Sequence, residues 1–445
     1  MKKLATAMVM IMLIGGSGFS LLPGQNIRTR IDQILQNPSL EAQVMNIDNQ
    51  KGSIAWAKVF YMEALLNMYE ITGETAYLNH FLRHARDLMR QENKFAGRLD
   101  FDGKLRRGWQ TNYAYTFSKP VLLRDGTGRA VLRLQGKRWG QNNFTQVRVT
   151  VTEGDRIAFH VTNRAAGYKQ TLGPFSLAEL KRWAPSTDHM SRFLTVTVLG
   201  DRLPASDTVL TFQSEPVTLT TFHNGRILVP LLRFVDLVRS NALPAFQASS
   251  DSIFQFCQEV FAAYDSLWQP QGYYINEPGI PFAYAGLPVP YNILADHGRS
   301  FIYFYRLTGD HRFLQRIAQI TLRIFLEFRR EDGKWIFHYA FGPLFDGWKE
   351  GDSHRYAYPR FEGARRMEDI SHFKSTVIYV YELLRHDMGY FNGLRNTIIQ
   401  VLDQVFQANR FAYYLDGSGN RIVSDAAGTF VLLFPYQPAV QKTYL

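Results

Sequence analysis

The sequence predicts a mainly α protein: an (α/α) toroid of helical hairpins with an inserted β-sandwich-like module. Three observations point there. A helix–turn–helix unit recurs along the chain. Between about 119 and 222 the apolar pattern changes from helical spacing to strand alternation. The 445 residues, 46% hydrophobic and 20% charged, suit one large globular domain or two to three smaller ones.

The first element is Met1-Lys2-Lys3, followed by the apolar run LATAMVMIMLI and the small residues GGSGFS. This layout predicts a signal peptide over 1–20 and a secreted or extracytoplasmic location. The run is short for a membrane span, and an uncleaved anchor is the alternative. Without Lys2 and Lys3 the formal net charge falls from +11 to +9. Positive charge favours acidic partners. No Lys/Arg block of the nucleic-acid-tail kind is present. The single cysteine, Cys257, lies in the apolar stretch IFQFCQEVF, which excludes an internal disulfide and a cysteine-based metal centre.

The repeat comes next. ALLNMYEITGETAYLNHFLRHARDL (64–88) aligns with SFIYFYRLTGDHRFLQRIAQITLRI (300–324), so that Thr72-Gly73 meets Thr308-Gly309 and Tyr77-Leu78 meets Phe313-Leu314. Each copy reads as an apolar helix, a glycine cap and a second helix begun by an acid. A looser copy starts at His372, and another pair fits ILVPLLRFVDLVRSN with SSDSIFQFCQEVFAAYDSLW. Such hairpins cannot bury their apolar faces alone and must stack. Segments 21–118 and 223–445 are therefore read as the two parts of the toroid. Segment 119–222, rich in alternating Val and Thr as in FTQVRVTVTEGDRIAFHVTN, is read as the β module, broken by one helix at 176–183.

Three stretches carry chemistry. In RRMEDISHFKST the residues Glu368, Asp369 and His372 crowd a helix start. Asp369 or Ser371 suits a cap there, and His372 suits a general base tuned by the helix end and the two acids. In PVPYNILADHGRSF the polar set is Tyr291, Asn292, Asp296, His297 and Arg299. Counting back nine residues from Tyr305 and from Tyr381 places Asp296 and His372 at equal heights on equivalent helices, at the end of one cavity. In the first copy that height falls on Phe60 and Tyr61. The loop 335–366 mixes aromatics with cations: His338, Tyr339, Trp348, Arg355, Tyr356 and Tyr358. Arginine grips carboxylates in bidentate fashion and aromatic faces stack on sugar rings. No phosphate-binding loop, dinucleotide fingerprint, nucleophile elbow or helical zinc signature is present, and neither cofactor nor metal is expected.

The turns YEITGETAYL and YRLTGDHRFL, with PYNILADHGRS and EDISH, resemble the six-hairpin (α/α) toroid superfamily of carbohydrate-active proteins. The resemblance covers about 50–118 and 225–415. It implies polysaccharide lyase, glycoside hydrolase or glucuronyl C5-epimerase chemistry. For a lyase it implies Asn292 or Arg299 as carboxylate neutraliser, His372 or His297 as base, and Tyr339 or Tyr356 as acid. The leading expectation is a lyase that cleaves an acidic polysaccharide by β-elimination. A hydrolase is the rival, with Asp296 and Glu368 or Asp369 as its carboxylates. A non-catalytic polysaccharide-binding protein is the third class.

Overall fold

The computed structural model describes residues 32–432, apart from 34, 51, 112–115, 137–141, 153–154, 165, 185–190, 192, 350–360, 389–391, 408–409 and 423–431. The predicted leader lies outside the described residues. No helix among them is long and apolar enough to cross a membrane.

Four helix pairs form the body: α1 (Val59–Thr72) with α2 (Thr75–Gln91), α3 (Thr220–Ser240) with α4 (Gln247–Ala262), α5 (Tyr291–Thr308) with α6 (His311–Glu327), and α7 (Ile370–Arg385) with α8 (Asn392–Val405). The repeated turn is built twice in the same way. Gly73 and Gly309 end α1 and α5 with φ of 75° and 69°, a conformation that costs glycine little. Thr72 and Thr308 each donate a hydroxyl hydrogen bond back one turn, at 2.8 and 2.7 Å, and accept one from the next helix's first acid at 3.1 Å.

The odd-numbered helices run parallel and form an inner ring. They are apolar on more than one face. Every residue of α3 from Thr220 to Val238 is buried, as a helix enclosed on all sides requires. The outer α2 and α6 bury one stripe only. Small residues set the closest crossings. A Cβ on Gly225 of α3 would lie 2.6 Å from His297 Nδ1 on α5, and one on Gly298 would lie 2.5 Å from the Tyr379 ring on α7. One apolar cluster joins all four pairs.

The ring differs from the six hairpins that the resemblance implies. Among the described residues, four pairs suffice to bring the last inner helix back to the first. Across this α7–α1 seam, long side chains make the contact: Arg385 pairs with Glu70, and Lys374 Nζ lies 4.6 Å from the Phe60 ring centre. A four-membered ring leaves an axis only side chains wide, and charged groups fill it. Arg226 donates to Asp296 at 2.6 Å and to Ser375 at 2.6 Å. Below, Arg299 grips Glu63 through both terminal nitrogens, at 3.2 and 2.6 Å. Tyr303 donates to Glu382 at 2.8 Å. Lower still, Arg233 reaches Asn67 and lies 2.7 Å from Glu70. Glu63 and Arg299 are 236 residues apart, the offset of the repeat, so they are equivalent positions facing each other.

The β module has two antiparallel sheets. β1 (Val121–Arg124), β2 (Ala130–Gly136) and β6 (Leu194–Val198) form one in the order β1-β2-β6; β3 (Thr145–Thr152), β4 (Arg156–Asn163), β5 (Tyr168–Ser176) and β7 (Thr208–Thr211) form the other in the order β5-β4-β3-β7. They enclose a separate apolar cluster that includes Val147, Phe159, Leu194 and Phe212. The helix within it, Leu177–Trp183, opens with a Ser176–Glu179 capping box. Gln110–Thr111 pairs with Val217–Thr218, which draws the two connecting strands of chain together at the base of the module.

Candidate functional site

Because the inner helices are parallel, their N-termini gather at one end of the ring. The stretch that leads into α7 is fixed there on both sides. Glu368 N–H donates to Phe337 O at 2.9 Å and Leu415 N–H donates to Glu368 O at 3.1 Å. Asp369 then caps α7 from an extended conformation. Its Oδ1 accepts from Ser371 N at 3.0 Å and from His372 N at 3.1 Å, and its Oδ2 lies 2.6 Å from His372 Nδ1. The cap also holds the imidazole. Tyr339 stands edge-on to His372 with ring centres 5.2 Å apart, and the Arg366 guanidinium covers Tyr339 at 3.8 Å.

Glu368 is the unusual member. Its carboxyl is wholly buried, Oε1 accepts from Asp369 N at 3.1 Å, and Oε2 has no hydrogen-bond partner. Burial, then the neighbouring Asp369 charge, pushes its pKa well above the ordinary carboxylate range. Asp369 moves the other way. Burial opposes its charge, but the hydrogen bond and charge of His372, with help from Ser371, hold it at about 2. Two adjacent carboxyls are thus pushed in opposite directions. Donor atoms of Glu368, Asp369 and His372 lie within 4.8 Å of one another, a set of the metal-ligating kind that the sequence reading did not expect.

The other expected residues are placed elsewhere. Tyr291, Asn292, Asp296, His297 and Arg299 are all buried. Asp296 is held by Arg226, and Arg299 by Glu63. His297 Nε2 lies 2.7 Å from Thr221 O, and burial lowers its pKa to about 4. Tyr291 donates to Glu327 at 2.9 Å. His338 Nδ1 lies 2.8 Å from the other oxygen of Glu327, so His297, His338 and His372 do not converge. Trp348 packs with Tyr339 in a small satellite cluster. Arg355, Tyr356 and Tyr358 lie outside the described residues.

The equal-height expectation is displaced by about one turn. Arg226 bridges Asp296 to Ser375, and Tyr303 meets Glu382, so Asp296 stands level with Ser375 and not with His372. Neighbouring helices are staggered, and a count from their turns does not register that. At Asp296 the axis carries the Arg226 guanidinium, bonded to Asp296 and Ser375.

The sequence reading did not single out Trp56, Arg226 or Lys374. At the same end of the ring, the Arg226 guanidinium lies 3.9 Å from the Trp56 ring and 5.6 Å from Phe60, and Lys374 lies over Phe60. The available signal was Trp56 four residues before Phe60, on one helical face.

No family model and no curated protein matches the chain. Solved structures similar to the chain include two family 76 glycoside hydrolases. One is the glycoside hydrolase family 76 (mannosidase) Bt3792 from Bacteroides thetaiotaomicron VPI-5482, at 9% identity over 99% of this chain and 86% of that chain, with a TM-score of 0.41. The other is a family 76 glycoside hydrolase from a bovine Bacteroides thetaiotaomicron strain, at 9% identity over 74% of this chain and 76% of that chain, with a TM-score of 0.34.

Proposed function

We propose that the protein hydrolyses glycosidic bonds in an acidic glycan, with Glu368 as general acid and Asp369 as the ionised partner. The observation that carries this reading is the arrangement at the helix start, where Glu368 Oε2 is left without a hydrogen-bond partner beside Asp369, itself held by His372; burial raises the Glu368 pKa while His372 lowers that of Asp369. One carboxylate oxygen of each lies within 4.8 Å of the other. Four helix N-termini at this end and the net charge of +11 favour an acidic substrate.

The hydrolytic step requires the buried Glu368 carboxyl to be uncovered by movement at the helix start; its proton then passes to the glycosidic oxygen as that oxygen's bond to the anomeric carbon breaks, and the leaving sugar departs with the proton as its hydroxyl. An Asp369 oxygen bonds to that carbon; water then attacks it, releasing the Asp369 carboxylate and giving its proton to the Glu368 carboxylate. His372 donates from Nδ1 to Asp369 and holds its orientation.

Exposure favours a second reading. In this cluster His372 keeps 32% of its side chain exposed, against 5% for Asp369. An imidazole anchored through Nδ1 to a carboxylate is arranged to take a proton at Nε2, as β-elimination requires. Incubation with a panel of uronate polymers separates the two. Hydrolysis gives new reducing ends without ultraviolet absorbance, and proton NMR shows retained anomeric configuration. An absorbing, unsaturated product favours elimination by His372. Turnover that survives Glu368→Gln sinks the hydrolytic assignment.

A further inference from the structure

Where the short helix Pro38–Met45 meets α2, a histidine cluster stands that the proposed chemistry does not use. His80 and His84 lie one turn apart on one face of α2. The spacing His80-Phe81-Leu82-Arg83-His84 is H-x-x-x-H, so the helical zinc spacing counted above as absent is present at this point. Glu41 reaches them from the short helix. Its Oε1 lies 3.2 Å from His80 Nδ1 and 3.9 Å from His84 Nε2. Zinc bonds of about 2.0–2.2 Å set tetrahedral ligand atoms roughly 3.3–3.6 Å apart, and the two spacings bracket that range.

Two features distinguish this cluster from a surface ion pair. The first is His84. It is wholly buried, and neither of its ring nitrogens makes a hydrogen bond. A buried imidazole ordinarily finds a partner for its N–H and for its lone pair. Here Nε2 faces Glu41 Oε1 at 3.9 Å, beyond hydrogen-bond reach. Tyr61 packs edge-on against the same ring, with centres 4.9 Å apart, and its buried hydroxyl is unpartnered too. The second feature is that a cation already stands in the gap. Arg83 Nη2 donates to Glu41 Oε1 at 2.7 Å and also touches His80 Nδ1. The Arg83 side chain is 52% exposed, so it is free to swing into solvent and give up that place. Lys58, whose charge also bears on His84, is paired with Asp87.

We infer that Glu41, His80 and His84 form a site for one transition-metal dication of the zinc type, which takes the place of the Arg83 nitrogen and ties the helix Pro38–Met45 to α2. Three protein ligands leave the fourth position to water. The helix has use for such a tie. It buries none of its residues fully, and rests on the partly buried Leu40 and Val44 and on a bond of 2.9 Å from Lys58 Nζ to Met45 O. The inference stands apart from the hydrolytic reading, since none of its residues takes part there.

The test uses the full chain, stripped with a chelator, and two probes: Co2+ and Zn2+. Cobalt in a tetrahedral site gives a strong visible absorption band, and displacement of that band by zinc gives the zinc affinity. One equivalent of cobalt should develop the band. Glu41→Gln and His80→Gln should each weaken binding by about a hundredfold, at the upper end of what even outer-shell partners contribute. Arg83→Ala should tighten it by about fivefold, as removal of one competing exposed ion pair implies. His372→Ala should leave the band unchanged, which separates this site from the cluster at Glu368 and Asp369. Zinc should also protect residues 32–50 from limited proteolysis in the parent chain and not in Glu41→Gln. Glu41 and His80 are both partly exposed, and thermal melts in chelator identify a variant that fails to fold; the other then carries the comparison. Absence of the band overturns the site. So does a band that survives Glu41→Gln and His80→Gln, or one that is lost in His372→Ala. Arg83→Ala that binds no tighter removes the exchange of arginine for metal.

Discussion

The axis of the ring and its N-terminal mouth are both rich in buried charge, yet they differ in how that charge is balanced. Along the axis, Arg226 meets Asp296, Arg299 meets Glu63, and Arg233 and Arg385 share Glu70. At the mouth, Glu368 is as deeply buried as any of these and has no cation bonded to it: Oε2 is left without a partner. A paired buried charge is an internal strut. An uncompensated one survives only by holding its proton or by meeting something from outside, and that is the property of a reacting group. The comparison separates polar residues that look alike in sequence.

The largest effect should come from the mouth. Glu368→Gln keeps the shape and the hydrogen bond accepted from Asp369 N but removes the proton donor. Turnover of a glycan substrate should fall by about a thousandfold, within the usual range for a general acid. The fold should be no less stable, because no paired charge is lost. A Glu368→Gln protein with normal turnover would break the contrast between the two regions.

The axis should respond in the opposite way. Arg299→Leu leaves Glu63 and Glu382 buried without their shared cation, and unfolding free energy should drop by roughly 3–5 kcal/mol. Removing Glu63 as well, as Arg299→Leu with Glu63→Leu, should recover a large part of that loss, since the penalty arises from the stranded charge. Urea unfolding of the single and double variants measures both. If the single variant melts like the parent, the column is not the strut described.

These outcomes bear on what could be read from the residues alone. The turns at Gly73 and Gly309 were legible because a glycine cap, its threonine and the following acid act within a few residues. The Glu368–Asp369–His372 group was legible for the same reason: it spans five positions at one helix start. Arg299 was not. A sequence shows an arginine suited to a carboxylate without showing whose carboxylate it is. Glu63, one repeat length earlier, was the available hint. The stagger between α5 and α7 was also hidden, since helix packing sets it and turn spacing does not. Phe60 and Lys374 meet only because a four-pair ring joins chain segments more than 300 residues apart.

The pH dependence of stability gives a finer comparison. The pKa of Glu368 is raised on folding, so its contribution is fully present below its ordinary value of 4.5 and is lost as pH rises through the raised value. Asp369 is held down at about 2, so its contribution is present above its ordinary value of 3.8 and is lost as pH falls through about 2. Glu368→Gln removes only the first dependence. The variant should therefore gain on the parent in denaturant midpoint as pH is raised from 4 to 8, with no gain at the acid end. An identical pH profile for the two proteins would mean that Glu368 is not buried as an acid.

The smallest effect tests whether Asp369 is a cap, a reacting group or both. Asn caps a helix about as well as Asp, whereas Ala does not. Asp369→Asn should keep the cap but lose the charged contact with His372 that holds the Asp369 pKa down, and Asp369→Ala should lose both and cost about 1 kcal/mol more. Both should lose turnover, because neither supplies the anion that Glu368 is paired against. If Asp369→Asn keeps activity as well as stability, capping accounts for the residue, and the mouth then resembles the axis: a place where the fold has satisfied its own groups. If stability stays and turnover goes, one carboxylate serves two ends. Its Oδ1 starts α7, and its Oδ2, steadied by His372, is available to the reaction.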